Sequence, residues 1–146
     1  MLDFKIRFVK EKPSLKDYNE LFENIYDEKI DEKILEEAFN NTLEFVSVYD
    51  NISNELIGFS RIIGDKTVFL YIQDIMVKKE YQKQGIGGKI VEYTLDIIRE
   101  YKKRNSDVRV YLGASKDMEA FYEKYGFLRR PNEFVGAGMI LRQDFK

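Results

Sequence analysis

Within the first forty residues, the spacing of apolar positions changes from the alternation typical of a strand to the spacing typical of a helix. Phe4–Val9 alternates apolar and polar positions, which predicts a strand. Ser14 and Asp17 then stand three residues apart, as in a capping box at the start of a helix. A second short helix is predicted over Asp31–Phe39. The apolar stripe of the first helix consists of Leu15, Tyr18, Leu21, Phe22 and Ile25.

The middle of the chain returns to alternation and predicts three strands in series. They cover Glu44–Tyr49, Glu55–Ile63 and Thr67–Val77. Asp50-Asn51 and Gly64-Asp65 supply the turn residues between them. Strands joined by such short connections predict an antiparallel meander.

The last third predicts two helices and three more strands. A helix is expected over Gly85–Arg104, a strand over Val108–Leu112, and a helix from Met118 that ends at Gly126. Phe127–Arg129 and Glu133–Leu141 are expected to complete the sheet. The fold class is therefore α/β (α+β), with about four helices and a mixed, mostly antiparallel sheet of six to seven strands. The element order is β-α-α-β-β-β-α-β-α-β-β.

Composition narrows the chemistry that is possible. A length of 146 residues suits a single domain over residues 1–146. With 24 basic and 26 acidic residues the chain lacks the basic surface of a nucleic-acid binder. It contains no Cys and no His, which excludes a thiolate nucleophile and an imidazole base, and we expect no metal. Acid–base chemistry must then use carboxylates, Tyr, Lys or water.

The N-terminal region and the apolar runs bear on location. The first residues lack the apolar core of a signal peptide, and no apolar run approaches membrane-spanning length. We therefore expect a cytoplasmic protein with no membrane partner. Acidic residues crowd the first forty positions, where they either form a solvated helix face or attract a cationic substrate.

The segment Gln82–Gly88 carries the strongest chemical signal: a strand, a turn with three glycines and then a long helix. The first turn of a helix has unpaired N–H groups and the positive end of the dipole, which suit an anion. A Walker A loop is excluded, because Ile90 follows Gly88-Lys89 where Ser or Thr is needed. A dinucleotide fingerprint is excluded because Ile90 also stands in place of its third glycine. An ordinary glycine-rich turn remains an alternative.

Two motifs together resemble the GNAT superfamily of N-acetyltransferases. Gln82-x-x-Gly85-x-Gly87 resembles its pyrophosphate loop, Arg/Gln-x-x-Gly-x-Gly/Ala, and Tyr122-x-x-x-Gly126-Phe127 resembles its second signature. The resemblance implies the GNAT fold and acetyl-CoA as cosubstrate, without a metal. The pyrophosphate would lie on the loop residues Gln82, Lys83, Gln84, Gly85, Ile86, Gly87 and Gly88.

The same resemblance implies roles for residues on either side of this loop. Tyr122 would donate a proton to the departing sulfur and contact the cofactor, although it also belongs to an aromatic stripe typical of a core. Ser115 stands where many relatives have a cofactor-contacting Asn, and it either reaches the cofactor or caps its helix. The main chain of the strand before the loop would bind the pantetheine arm and the oxyanion through Ile75, Met76 and Val77.

The group that deprotonates the amine has several candidates. Several relatives carry Glu-Asp where this chain has Gln73-Asp74, and Gln73 cannot accept a proton. Asp74, predicted on the opposite strand face from Gln73, is the candidate catalytic base; it could instead bind substrate or make a structural hydrogen bond. Glu44, Glu133 and an ordered water chain remain alternatives.

The resemblance implies an N-acetyltransferase that moves the acetyl group of acetyl-CoA to an amine by direct attack in a ternary complex. A small-molecule amine is the expected acceptor. Alternatives are a regulatory module that binds acyl-CoA without turnover and a protein or peptide N-acyltransferase. Pairing of the last strands between subunits would give a homodimer. Aromatic residues near the expected acceptor entry are Tyr18, Phe22, Tyr26, Phe39, Phe45, Phe69, Tyr71 and Phe134.

Overall fold

The computed structural model describes residues 5–146, in which one five-stranded sheet is the largest feature. The strands lie in the order β1-β2-β3-β4-β5, with β1 to β4 antiparallel and β5 parallel to β4. Phe4, the predicted start of the first strand, lies outside the described residues. The elements are β1 Ile6–Val9, α1 Leu15–Tyr26, α2 Glu32–Asn40, β2 Glu44–Asp50, β3 Leu56–Gly64, β4 Phe69–Val77, a 3-10 turn Lys79–Tyr81, α3 Ile86–Arg104, β5 Arg109–Leu112 and α4 Glu119–Glu123.

The chain divides into two compact units, of which the first ends at Leu112. Within it the predicted order of elements is confirmed, and the bounds differ by only one or two residues. Ser14 caps α1 as predicted, because its hydroxyl accepts a hydrogen bond from the Asp17 N–H at 3.0 Å. Asp31 caps α2 in the same way, through the N–H groups of Lys33 and Ile34.

The two N-terminal helices pack on one face of the sheet and α3 packs on the other. Between the sheet and the two N-terminal helices lies a core cluster rich in aromatic rings, in which Tyr18, Phe39 and Phe59 are at most 3% exposed. On the opposite side the Thr94 hydroxyl of α3 lies 3.3 Å from that of Ser60 in β3. A Cβ on Gly58 would lie 2.8 Å from Ile90 Cδ1, so only glycine allows this close approach of α3.

Helix α3 is amphipathic. It buries Ile90, Val91 and Ile98 against the sheet, and its last turn carries Lys102 to Arg104, which complement the negative end of the helix dipole. Within residues 5–146, no helix combines the length and the apolar character needed to cross a bilayer.

A β-bulge at Asp74 and Ile75 interrupts the alternation of β4 near the end of the strand. Phe59 pairs with Met76 but Arg61 pairs with Gln73, so two residues of β4 oppose the single residue Ser60. One of these two is Asp74, whose φ of 60° is left-handed. The predicted opposite faces for Gln73 and Asp74 are therefore wrong: the bulge turns both side chains to the α1 side, where they touch.

The second unit, Gly113–Lys146, lacks the two predicted strands: after α4 its described residues contain no regular element. The predictions over Phe127–Arg129 and Glu133–Leu141 are wrong because the backbone closes a local turn instead. The side-chain oxygen of Asn132 accepts hydrogen bonds from the backbone N–H groups of Phe134 and Val135. Pro131 and two glycines also weaken any ladder here. The exposed apolar residues of this segment are Leu128, Phe134, Val135, Met139, Ile140, Leu141 and Phe145.

Candidate active site

The glycine-rich loop connects the end of β4 to the first turn of α3. Gln82 to Gly85 are exposed, and Ile86, only 1% exposed, anchors the start of the helix in the core. Lys83 and Gly85 both have left-handed backbones, with φ of 61° and 85°. Left-handed residues in a turn direct neighbouring N–H groups to a common side, which produces a concave surface for an anion.

The N-terminus of α3 is open. Gly85 is its N-cap, and no side chain caps the helix there. A Cβ built on Gly85 would meet nothing within 4 Å, so the left-handed φ, and not crowding, is what favours glycine here. The N–H groups of the first turn, at Ile86, Gly87 and Gly88, could therefore bind an anion with no capping side chain in the way. These directional donors fit a pyrophosphate.

The two glutamines of the loop hydrogen-bond to its own backbone. Gln82 donates from Nε2 to the Val77 carbonyl at 2.9 Å, and Gln84 donates to the Glu80 carbonyl at 3.3 Å. Their side chains thus stabilise the loop shape, and anion contacts are left to the backbone. Lys83 is exposed and adds positive charge.

Contacts that sequence reasoning missed hold the segment before the loop. The Tyr81 hydroxyl donates to Asp50 Oδ2 at 2.6 Å, and Asn24 of α1 accepts the Lys79 N–H at 2.9 Å. The bond to Asp50 raises the pKa of Tyr81 to about 12 and lowers the pKa of Asp50. Asp50 was predicted as a turn residue and Asn24 lies outside the predicted apolar stripe of α1, so no local pattern pointed to either contact.

At the bulge, the Asp74 carboxylate accepts three hydrogen bonds. Tyr18 Oη and Arg61 Nε both donate to Oδ2 at 2.9 Å, and Gln73 Nε2 donates to Oδ1 at 3.0 Å. The side chains of Asp74 and Arg61 are 12% and 17% exposed, so the ion pair is largely removed from water. Arg61 also donates to the Thr42 hydroxyl at 3.1 Å.

Tyr18 and Arg61 were absent from the predicted catalytic groups. Tyr18 fits the apolar stripe of α1, and only its hydroxyl distinguishes it from core. Arg61 carries a detectable signal, since it is a charged residue inside an apolar strand. Burial first, and then the Asp74 charge, raise the pKa of Tyr18, so its phenol remains a donor.

We expect the free energy of unfolding to fall less between pH 8 and pH 11 in Tyr18→Phe than in the wild type. The pKa of Tyr18 lies above its ordinary value of 10.0 in the fold, so its contribution to the free energy of unfolding is fully present below about pH 10. This contribution falls as the pH rises further, by about 1 kcal/mol near pH 11. Urea unfolding of both proteins at pH 8 and pH 11 measures the difference. Equal losses in the two proteins would contradict this expectation.

The other predicted bases lie elsewhere. Glu44 accepts a hydrogen bond from the Tyr101 hydroxyl at 2.9 Å, and it lines an open cleft of about 710 Å³ with Tyr101 and Arg104. This cleft adjoins the last turn of α3, whereas the glycine loop adjoins its first turn, about 28 Å away for 19 residues. Glu133 lies in the second unit and is exposed.

In the second unit, the Tyr-x-x-x-Gly-Phe signature forms the end of α4. Tyr122 is 9% exposed, and its ring meets Phe121 and Phe127 edge to face. Gly126 has a φ of 94°, and the Phe127 N–H returns to the Tyr122 carbonyl at 3.4 Å. The glycine of the signature thus supplies the left-handed residue that closes the helix.

Ser115 does not cap this helix, so that prediction is wrong. The N-cap of α4 is Met118, whose N–H donates to the Ser115 carbonyl at 3.0 Å. Asp117 between them is left-handed, with a φ of 69°, and interrupts the helical path. The Ser115 side chain is exposed, and its cofactor contact stays a prediction.

Known proteins resemble this chain in both sequence and structure. The model of the acetyltransferase (GNAT) domain family matches residues 11–143. A structure from meticillin-resistant Staphylococcus aureus, of unknown function and described as "Probable Acetyltransferase", is 31% identical with a TM-score of 0.80, covering 94% of this chain and 98% of that one. A GNAT family protein from Streptococcus pneumoniae has a TM-score of 0.70 at 21% identity, covers 95% and 99% of the two chains, and supports the fold alone.

Among curated sequences, an uncharacterized N-acetyltransferase ycf52-like protein of Prochlorococcus marinus is 29% identical over 99 residues, which are 66% of this chain and 53% of that protein. The chain spans about half the length of the curated relatives it matches. The family model covers most of the chain, and the open start of α3 and the Tyr-x-x-x-Gly-Phe turn match the resemblance inferred from the two motifs. The chain therefore belongs to the GNAT acetyltransferase family.

Proposed function

We propose that the protein is a cytoplasmic N-acetyltransferase that moves the acetyl group of acetyl-CoA to a small primary amine. The observation that carries the proposal is the uncapped N-terminus of α3. Lys83 and the N-cap residue Gly85 are both left-handed, and a Cβ on Gly85 would meet no atom within 4 Å. Membership of the acetyltransferase family supports an acetyl group as the group that is transferred.

Acetyl-CoA would be held mainly by backbone groups. Its pyrophosphate would accept the N–H groups of Gly85 to Gly88, supported by Gln82, Lys83 and Gln84. Its pantetheine arm would pair with Ile75 to Val77, where β4 runs on past the last residue that pairs with β5. Ser115 is proposed as a further cofactor contact.

The reaction would proceed by direct attack within a ternary complex. A primary amine with a pKa near 10.4 is about 99.9% protonated at pH 7, so it must first lose a proton. Its nitrogen then forms a bond to the acetyl carbon, and the carbonyl oxygen becomes an oxyanion held by main-chain N–H groups. The carbon–sulfur bond breaks, and the thiolate takes the proton of the Tyr122 hydroxyl, which solvent replaces.

The proton of the amine would pass to Asp74 or to water. The Asp74 carboxylate already accepts three hydrogen bonds and is paired with Arg61, so both of its oxygens are occupied by other donors. These contacts favour water as the immediate acceptor of the proton.

Thiol release from acetyl-CoA in the presence of different amines tests the proposal. The panel contains phenylethylamine, spermidine, glucosamine, alanine and a peptide with a free N-terminus. We expect at least one small amine to be turned over, with CoA and the N-acetyl product formed in equal amounts. CoA binding without turnover of any amine would support a regulatory module instead, and turnover of the peptide alone would support a protein-modifying enzyme.

A further inference from the structure

We infer that Asp74 is a positioning residue that orients the Gln73 amide, so that the Gln73 carbonyl oxygen accepts a hydrogen bond from the acceptor amine. The inference rests on the proposed function for the identity of the acceptor. It assigns Asp74 a role other than general base, and it gives a role to the amide of the half-buried Gln73.

The orientation of Gln73 follows from its partner. An amide can approach a carboxylate only with its NH₂ group, since two oxygen atoms would repel each other. Gln73 Nε2 lies 3.0 Å from Asp74 Oδ1, which directs Gln73 Oε1 away from Asp74. Within residues 5–146, no hydrogen-bond donor is found for that oxygen, and the side chain is half-buried. It is therefore a directed acceptor with access to solvent.

Asp74 can orient the Gln73 amide because its own side chain is held in place. Tyr18 and Arg61 hold Oδ2 from two directions, at 2.9 Å each. The bulge places Asp74 on the same strand face as Gln73, which regular alternation would forbid. The left-handed φ of 60° is tolerated by Asp better than by most residues.

The charges around Gln73 favour recognition through a neutral dipole. Arg61 offsets the charge of Asp74 in their ion pair, so this part of the site offers no unpaired carboxylate to a cation. The Gln73 oxygen accepts an N–H from either the ammonium or the neutral amine. It therefore keeps its contact when the amine loses the proton that precedes attack.

Two substitutions test the inference. In Asp74→Asn, the single oxygen stays with Tyr18 and Arg61, so the new NH₂ group faces Gln73 and forces its amide to turn a donor outward. Asn also tolerates the left-handed backbone, so the bulge persists. Gln73→Met removes the amide at a half-exposed position. We expect each variant to raise the KM for the amine about tenfold and to keep kcat within about twofold.

The two changes act through one contact, so the double variant should be no worse than either single variant. The pH profile of kcat and the KM for acetyl-CoA should stay as in the wild type. Gln143→Met, an exposed glutamine of the second unit, is the matched control and should change nothing. A hundredfold fall in kcat for Asp74→Asn with an unchanged amine KM would identify Asp74 as a base and overturn the inference.

Binding of phenylethylamine to the CoA-bound protein, measured by calorimetry, separates this inference from the proposed function. If the wild type turns over no amine but binds this one, and Gln73→Met binds it about tenfold more weakly, the function fails and the inference stands. Equal amine binding or equal amine KM in Gln73→Met and wild type overturns the inference, even if Asp74→Asn does not fold. If the wild type neither binds nor turns over any amine, both fail.

Discussion

Tyr122→Phe is expected to lower turnover at saturating acetyl-CoA by tenfold or more. Phe preserves the ring that packs against Phe121 and Phe127, so the helix end should keep its shape. It removes the only proton that this side chain can give to the departing thiolate. General acids contribute about 10²–10⁴-fold in well-positioned sites. Stopped assays of thiol release under saturating amine and acetyl-CoA measure the loss.

The neighbouring residue Tyr125 provides the matched control. It lies four residues after Phe121 and packs against the same ring, but it occupies a variable position of the Tyr-x-x-x-Gly-Phe signature. Tyr125→Phe should therefore keep turnover within about twofold. An unchanged rate in Tyr122→Phe would remove Tyr122 from the acid role. An acetyl thioester of a more acidic thiol has a better leaving group, which needs less help from a general acid. If Tyr122 is the acid, this substrate should partly restore the rate of Tyr122→Phe.

Gly85→Asp is expected to weaken acetyl-CoA binding about a hundredfold while it leaves the fold intact. Asp tolerates a left-handed backbone, and a Cβ at this position meets no atom within 4 Å. The new carboxylate would lie where the pyrophosphate is proposed to bind, and two like charges a few ångströms apart near a protein surface repel by about 2–4 kcal/mol. Calorimetric titration with CoA measures the loss, and thermal unfolding checks stability.

Gly85→Asn separates charge from backbone strain. Asn matches Asp in size and in its tolerance of the left-handed region, but it carries no charge. We expect a loss of CoA affinity of tenfold or less, with the same melting temperature as Gly85→Asp. Equal affinities in Gly85→Asp and the wild type would show that the pyrophosphate binds elsewhere.

The first unit shows how far local patterns reach. The period of apolar residues predicted α1 and β2 to nearly the observed bounds, and Ser14 identified the start of α1. Gly85 was recognisable because a turn that needs a left-handed residue and a helix start open to an anion both call for glycine. These signals are local: backbone propensity, capping and periodicity act within about four residues.

The second unit shows where local patterns fail. The segment 133–141 was predicted as a strand, but a strand also needs a partner along its length, which the sequence pattern cannot supply. In the structure, Asn132 and Pro131 lead the backbone into a turn instead. The last helix ends at Glu123, three residues before its predicted end at Gly126.

By itself, the sequence determined the family, the glycine-rich loop from Gln82 to Gly88 and the exclusion of thiol and imidazole chemistry, because each depends on which residue types are present and on short spacings between them. Only the tertiary structure decided what Asp74 contacts. Tyr18 and Arg61 lie 56 and 13 residues from it along the chain. The bulge that brings Gln73 and Asp74 to one face results from the register of β3 against β4, which depends on packing across the whole sheet.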